Sequence, residues 1–400
     1  MGWAKDMMME AEDRGYYLPD QDKVLCSKHY DDLYLKEFIN THSHRGQCSY
    51  CGKKTNVINL SEFVEFIMQR IMQHFTTPDN DELYLSSSFY DDKDDVIPGL
   101  KRVGCFVTRE EAETYDSTKE LLYDIDLIAD NETLNQDIED CILNDEWIQR
   151  NSMIRTIREE LSDLWKDFVS MVTHRRRYTF FTLPQFDVAY FSEENGLQNI
   201  LSELSRTINV LDLYQILPVN TILFRCRYVD AKDEVIKFDD ITSPPDDKAS
   251  ENRMNPSGIS MFYGSFDENT VKEEARDSTK KFCVIGEFIT KKELTVLDLT
   301  NLPPLSFWND YWQELGFLYS FSKDVSKPIA EKSRSIEYAP TQIFAEYIRY
   351  CCLDMRGNRI DGIKFKSSLP RCSGSNIVLF FNQKESKTVL DIKSLKWSDS

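Results

Sequence analysis

The chain is short of the residues that mark several common protein classes. It has 14 glycines and 13 prolines in 400 residues, about half the usual share, which excludes collagen-like, linker-like and glycine-rich low-complexity chains. It has five histidines and none after His174, so the C-terminal half cannot form a Ser-His-Asp triad. The glycine patterns GxGxxG and GxxxxGK[ST] are also absent, which leaves Rossmann and P-loop nucleotide sites without support.

Long apolar runs are missing as well. The longest, at residues 377–381, has the length of a strand, whereas a membrane span needs about 20 residues. No apolar signal-peptide segment follows Met1, and Asp6 stands where a myristoylation signal requires Ser or Thr. We therefore expect a cytoplasmic protein whose ten cysteines are reduced thiols, some of them available to a metal ion.

Acidic residues outnumber basic ones, with 68 Asp and Glu against 48 Lys and Arg, and the formal net charge is −20. A chain this acidic repels a polyphosphate backbone at long range, so non-specific binding to nucleic acid is not expected. A small anionic ligand held by a few arginines remains compatible, because a binding site needs only local charge. Apolar residues make up 41% of the chain, which excludes wholesale disorder.

The hydrophobic pattern divides the chain into three parts and predicts an α+β protein. Residues 1–55 are polar and acidic, and residues 56–185 show helical periodicity, clearest at 63–75 and 154–172. Residues 215–385 mix short strands with helices. We expect a mostly helical N-terminal domain and a C-terminal domain with a mixed sheet. Residues 301–335 look like an insertion that could form a lid, a partner surface or core.

Two residue pairs in the first part have the spacing of a zinc knuckle. One pair forms CxxH and the other forms CxxC after an 18-residue spacer. The four residues are Cys26, His29, Cys48 and Cys51. Two residues between ligands let one tight turn direct both towards a single tetrahedral ion, and four N/S ligands suit structural zinc. His42 and His44 are alternatives for the fourth ligand.

Three arginines of the C-terminal part are candidate ligand-binding residues. The predicted strand at 221–229 has its apolar face on 222, 224, 226 and 228, so Arg225 and Arg227 share the other face and alternation does not choose between them. Arg253 lies in a loop with Pro and Gly that could present its guanidinium. Two arginines at one cleft would suit a pyrophosphate, because the planar guanidinium binds phosphate oxygens in pairs. The alternative is that each is a surface arginine.

A carboxylate on the apolar face of a short helix is the most informative residue. We predict that the helix starts at an Asp267 N-cap, so that Val271, Glu274 and Ala275 share one face. An inward carboxylate costs stability unless it is paired, which makes Glu274 either a functional residue or half of a buried ion pair. Ser367 ends a predicted strand and is expected to face inward.

Five motifs, in this order, resemble the RES domain, a family named for Arg, Glu and Ser residues. They are the strand Leu223-Phe224-Arg225, the segment 253–263 with Glu274 eleven residues later, the helix at 338–346, the strand ending at Ser367, and the strand at 376–380. The N-terminal part and its cysteine pairs are similar to the HEPN-type domain often found in front of RES domains. Ribonuclease activity is not expected, because Arg70 and His74 are one residue too close for the R-x4–6-H pattern.

The RES resemblance implies a fold like that of ADP-ribosyltransferases and an enzyme that destroys NAD+ by hydrolysis or phosphorolysis of its nicotinamide–ribose bond. Arg225 and Arg253 would hold the phosphates and ribose of NAD+, and Tyr263, otherwise a core residue or stacking wall, would pack near nicotinamide and ribose. Glu274 would be the central carboxylate. Ser367 would orient Glu274 or the sugar.

The same resemblance implies a toxin of the toxin–antitoxin or anti-phage defence type. The zinc-bearing N-terminal part would sense a trigger or restrain the enzyme, and an inhibitor or trigger protein would be its partner. Two other functions remain open, namely transfer of ADP-ribose to a macromolecule and non-catalytic nucleotide binding. The acceptor and the oligomeric state are also open.

Overall fold

The computed structural model describes most of the chain and forms two compact units. The described residues are 9, 11, 14–19, 22–80, 114–143, 146–150, 156–181, 200–231, 237–369, 372 and 374–399. Unit 1 contains Met1–Thr156 and Pro304–Trp312, and unit 2 contains Ile157–Pro303 and Gln313–Ser400. None of the described helices is long and apolar enough to cross a membrane.

Unit 1 mixes short helices with two small sheets, so it is less purely helical than the sequence pattern predicts. Its helices are α1 (Leu33–Thr41), α2 (Leu60–His74), α3 (Thr118–Asp124) and α4 (Glu132–Glu139). Its strands are β1 (Val24–Leu25), β2 (His44–Gln47), β3 (Lys54–Asn59), β4 (Phe75–Thr76), β5 (Thr114–Tyr115) and β6 (Trp147–Gln149). The sheet orders are β1-β3-β2 and β4-β6-β5.

The helix α2 is the centre of the unit 1 core. Its apolar residues recur at helical spacing, and Phe63, Val64 and Ile67 are fully buried. The segment at residues 1–55, which the sequence suggests to be poor in core residues, contributes Leu35 and Ile39 of α1 to the same cluster. That expectation was therefore wrong, because α1 has an apolar face of its own.

Unit 2 is built on one eight-stranded mixed sheet. Its strands are β7 (Tyr214–Leu217), β8 (Ile222–Val229), β9 (Phe262–Ser265), β10 (Phe282–Thr290), β11 (Leu294–Asp298), β12 (Gly362–Lys366), β13 (Ser375–Leu379) and β14 (Leu390–Asp399). The order is β14-β10-β8-β9-β13-β12-β11-β7. The strands β11 and β12 pair in parallel, and the other neighbours are antiparallel. The strand β14 lies beyond residue 385, where the sequence pattern ends the domain.

Helices cover both faces of this sheet. They are α5 (Ile157–His174), α6 (Ile200–Val210), α7 (Phe238–Ile241), α8 (Glu268–Glu274), α9 (Trp312–Ser326), α10 (Arg334–Glu337), α11 (Ala339–Cys351) and α12 (Gln383–Val389). The predicted helix at 154–172 corresponds to α5, although Ile154 itself lies outside the described residues. The buried faces of α5, α6, α9 and α11 form the largest core cluster with β12 and β13.

The strand β8 is covered on both faces, which corrects the prediction of one apolar face. Leu223 and Val229 are buried in one cluster, while Cys226 on the other face packs against α8 through Val271. Ile222, expected on the buried face, is exposed. A strand in the middle of a covered sheet does not have the polar face that simple alternation assumes.

The segment at residues 301–335 forms core in each unit. Phe307 and Trp308 are buried in the core of unit 1, and Phe317 and Phe321 are buried in the core of unit 2. The sequence left open a lid, a partner surface or core for this segment, and these side chains fit core.

Candidate active site

Glu274 is the last residue of α8 and is exposed to solvent. The predicted N-cap is confirmed, since the Asp267 side chain accepts a hydrogen bond from the Thr270 backbone N at 2.7 Å. Val271 is buried against the sheet as expected. The prediction that Glu274 points into the core was wrong, because the helix ends there and the side chain extends beyond the packed face.

Two donors from the sheet hold the Glu274 carboxylate. Ser367 Oγ donates to Glu274 Oε1 at 2.5 Å, and Asn376 Nδ2 donates to the same oxygen at 2.8 Å. The described residues place no hydrogen-bond donor on Oε2. The carboxylate is therefore fixed through one oxygen while the other is available to a ligand.

The pairing of β12 with β13 brings these two donors to one place. Phe365 lies opposite Asn376, and just beyond it Ser367 N donates to Gly374 O at 3.1 Å. Since alternate residues share a face, the side chains of Ser367 and Asn376 point to the same side. Glycine is required at 374, because an added Cβ would lie 2.1 Å from Thr270 Oγ1 of α8.

Tyr263 of β9 lies on the same face of the sheet, opposite Val378. Its hydroxyl donates to Asn255 Oδ1 at 2.6 Å and accepts from Met254 N at 3.2 Å. Burial raises the pKa of Tyr263. The phenol is therefore neutral at physiological pH and fixed in place.

Arg253 is held by main-chain carbonyls near the end of α9. Its Nη1 donates to Val325 O at 2.8 Å and its Nη2 to Lys327 O at 2.7 Å, and its guanidinium lies 5.5 Å from the Tyr338 ring centre. Burial lowers the pKa of Arg253, while Tyr338 and the Glu274 charge act in the opposite direction. Arg253 is thus in electrostatic range of Glu274, with no hydrogen bond joining the two among the described residues.

Arg225 points to the opposite face of the sheet. It shares that face with Leu223, its guanidinium lies 5.6 Å from the Phe262 ring centre, and its Nη1 donates to the carbonyl of Tyr263 at 2.7 Å. Burial lowers its pKa to about 10. The neighbouring Arg227 is exposed. This hydrogen bond connects Arg225 to the main chain of Tyr263, whose side chain lies on the Glu274 face of the sheet.

The two predicted zinc-binding pairs of unit 1 converge on one point. The ligand atoms of the four residues lie within 4.8 Å of one another; the residues are Cys26, His29, Cys48 and Cys51. Cys26 Sγ is 3.7 Å from Cys51 Sγ, and His29 Nε2 is 3.3 Å from Cys48 Sγ. One nitrogen and three sulfurs at these distances could hold a metal ion.

Of the histidines that the sequence left open as the fourth metal ligand, the structure places His29 in the cluster with the three cysteines. His29 is buried, and its other ring nitrogen, Nδ1, lies 2.6 Å from Asp130 Oδ1. A carboxylate behind a histidine ligand fixes its tautomer and orientation. His42 instead lies with its Nδ1 2.9 Å from Phe38 O.

Comparison with protein-family models covers both parts of the chain. Residues 222–398 match the RES domain, and residues 41–185 match HEPN/RES N-terminal domain 1. The chain thus carries a RES domain behind a HEPN/RES N-terminal domain. This architecture relates it to toxin-like, NAD+-processing modules. A search of the curated proteins gave no significant match.

The RES domain contains all the residues described around Glu274. The match to the HEPN/RES N-terminal domain includes Cys48 and Cys51 but begins after Cys26 and His29. The Cys/His cluster therefore combines residues of a preceding segment with residues of this domain.

The side chains of Arg70 and His74, both in the HEPN/RES N-terminal domain, pack against neighbouring residues. Arg70 is 8% exposed, and its guanidinium donates to the carbonyls of Phe307 and Asn309. The ring of His74 packs edge-on against Phe307, and burial lowers its pKa to about 4. Both side chains therefore contact Phe307.

Proposed function

We propose that the RES domain cleaves the bond between nicotinamide and ribose in NAD+, with water or phosphate as the acceptor. The observation that carries the proposal is the Glu274 carboxylate, exposed at a helix end and fixed by Ser367 and Asn376 through one oxygen. An ADP-ribosyltransferase-like fold is part of the proposal and is supported by the mixed sheet on which these residues sit.

The chemistry fits a site without histidine. When the C1′–N bond breaks, its electron pair moves to the nicotinamide nitrogen, and the cationic ring leaves as a neutral molecule that needs no proton. The remaining ribosyl centre is cationic and resembles the transition state of glycoside hydrolysis. The carboxylate of Glu274 would stabilise that charge. In hydrolysis, water would attack the same carbon and release a proton to solvent. In phosphorolysis, a phosphate oxygen would attack that carbon instead.

Arg253 and Tyr263 would bind the substrate beside Glu274. Two of the five N–H groups of Arg253 are used by the carbonyls of Val325 and Lys327, so others remain for a phosphate. We assign Arg225 a positioning role, because it holds Tyr263 from the opposite face of the sheet. The direct phosphate contact suggested by the sequence is therefore not part of the proposal.

The metal ion of the N-terminal cluster would be zinc with a structural role. Three thiolates and one imidazole leave no open position for a substrate. The ion would tie the segment carrying Cys26 and His29 to that carrying Cys48 and Cys51. By this proposal the HEPN/RES N-terminal domain restrains the toxin or senses its trigger, since unrestrained loss of NAD+ would harm the host cell.

Product analysis tests the proposed reaction. Purified protein is incubated with NAD+ labelled in the ADP-ribose part, with and without phosphate, and nicotinamide release is followed. Free ADP-ribose indicates hydrolysis, and a phosphorylated ADP-ribose indicates phosphorolysis. Label on a polypeptide would replace the proposal with ADP-ribosyl transfer. No nicotinamide release under any of these conditions, nor with added cell extract, would leave a non-catalytic nucleotide-binding module.

A further inference from the structure

Two buried cysteines face each other on neighbouring strands of the RES domain. The strands β8 and β10 pair in antiparallel fashion, with Cys226 opposite Ile285 and Cys283 opposite Tyr228. The two cysteines are therefore diagonal neighbours, and both belong to the small apolar cluster that packs against α8. Both residues are free thiols, and their Sγ atoms are 2.9 Å apart.

The distance between these two sulfurs does not suit a shared metal ion. Each Zn–S bond is about 2.3 Å long, so two thiolates on one tetrahedral zinc lie about 3.8 Å apart. Cys26 and Cys51 of the N-terminal cluster are close to that value, with their Sγ atoms 3.7 Å apart, whereas Cys226 and Cys283 are too close. The described residues also bring no third Cys, His, Asp or Glu ligand to this pair. The geometry therefore favours a bond between the two sulfurs over a metal site.

Burial limits the rate at which an external reagent reacts with the pair. Cys226 is 8% exposed and Cys283 is fully buried, so a reagent reaches Cys226 first. Burial also raises the pKa of Cys226, and the thiolate is the reactive form of cysteine. The first oxidation is therefore slow. Once Cys226 is oxidised, the Cys283 sulfur is already in contact with it, so the second step needs little movement.

We propose that Cys226 and Cys283 form a reversible disulfide when the RES domain is exposed to hydrogen peroxide, and that this bond stabilises the sheet. In the first step the Cys226 thiolate attacks a peroxide oxygen and becomes a sulfenic acid, and one water leaves. In the second step the Cys283 sulfur attacks the Cys226 sulfur, and a second water leaves. Two thiols thus lose two electrons and two protons, which reduce one hydrogen peroxide to two waters. The proposal does not depend on cleavage of NAD+.

The bond would join two positions that are 57 residues apart in the chain. A disulfide that closes a loop of this length restricts the unfolded chain and so stabilises the folded one. Because β8 and β10 lie inside the eight-stranded sheet, between β14 and β9, the bond would hold the middle of the domain together. We expect oxidation to raise Tm by at least about 5 °C. In a reducing compartment the two thiols stay separate, so the stability of the domain would follow the redox state.

Peptide mapping of the full chain tests whether the bond forms. The protein is treated with hydrogen peroxide until the exposed Cys351 is oxidised, denatured in an alkylating reagent and digested without reductant. We expect a cross-linked pair of peptides that contain Cys226 and Cys283, two hydrogens lighter than their sum, which a dithiol separates. Recovery of both residues as alkylated thiols, or a link from either to another cysteine, would overturn the proposal.

Thermal unfolding of variants tests the effect of the bond on stability. The Tm of oxidised wild type is compared with that of Cys283→Ser treated in the same way, because oxidation of the N-terminal cysteines affects both proteins equally. The matched control is Cys352→Ser, since Cys352 is also a buried thiol of unit 2 and contacts Ser205 Oγ at 3.2 Å. The control should keep the increase in Tm to within about 2 °C. An equal increase in Cys283→Ser, or cross-linked wild type with unchanged Tm, would overturn the stabilising role.

Discussion

Replacement of Glu274 by glutamine tests the charge of the carboxylate without changing its shape. The glutamine oxygen can still accept from Ser367 and Asn376, which now donate to Oε1 at 2.5 and 2.8 Å. Two unit charges about 4 Å apart attract by about 4 kcal/mol at an effective dielectric constant of about 20. Because Glu274 is exposed, solvent screening reduces this attraction. We therefore expect Glu274→Gln to lower turnover by about 100-fold, the lower end of effects measured for transition-state stabilisers.

The assay is nicotinamide release at saturating NAD+, with thermal unfolding measured on the same samples. Glu273→Gln is the matched control, because Glu273 is the preceding residue of α8 and its carboxylate contacts Arg276 at 3.4 Å. The control should retain turnover within about twofold, as expected for an exposed ion pair. A folded Glu274→Gln protein with turnover within about tenfold of wild type would refute the electrostatic role of this carboxylate.

Three further predictions concern the supports of the two sites. Arg225→Ala should raise KM for NAD+ at least about tenfold by releasing Tyr263, whereas exposed Arg227→Ala should not; equal KM values would contradict the positioning role. Gly374→Ala should lower turnover, because its Cβ would meet Thr270 Oγ1 at 2.1 Å; unchanged turnover would show that the hairpin has room. Metal analysis should find about one zinc per chain, lost in a Cys48→Ser variant, and zinc-free wild type would contradict the site.

The sequence predicted the regular elements well where packing is local. The helices α2 and α5 were recognisable from their apolar patterns, and the Asp267 N-cap was recognisable from its residue type. The strand β14 was not predicted, because it lies at the sheet edge and much of it is only half buried. The faces of β8 were predicted incorrectly, because alternation does not reveal that helices cover both sides of a sheet.

The sequence predicted which residues belong to the candidate site, but it did not predict how their side chains contact one another. Glu274 and Ser367 were named from the sequence, yet their hydrogen bond depends on where α8 ends. Asn376 had no assigned role, because it reaches Glu274 only through the register that pairs it with Phe365. Such long-range registers are not encoded in local spacing. The one signal available in the sequence was that Asn376 is a polar residue near the start of an otherwise apolar strand.

Replacement of Arg70 by methionine tests whether the Arg70–His74 pair is structural. The variant keeps an unbranched side chain, although a shorter one, and removes the donors to the carbonyls of Phe307 and Asn309. Each buried carbonyl left without a donor costs about 1–3 kcal/mol. We therefore expect unfolding to become easier by about 3 kcal/mol, which lowers Tm by roughly 6–12 °C for a unit of this size.

The control for this variant is Gln69→Met, which introduces the same side chain at the adjacent exposed position of α2. It should leave Tm within about 2 °C of wild type, because surface substitutions rarely change stability by more than about 0.5 kcal/mol. Wild type should also leave single-stranded RNA intact, since burial lowers the pKa of His74 to about 4 and its ring packs edge-on against Phe307. RNA cleavage by wild type that disappears in Arg70→Met, with Tm unchanged, would instead make the pair catalytic.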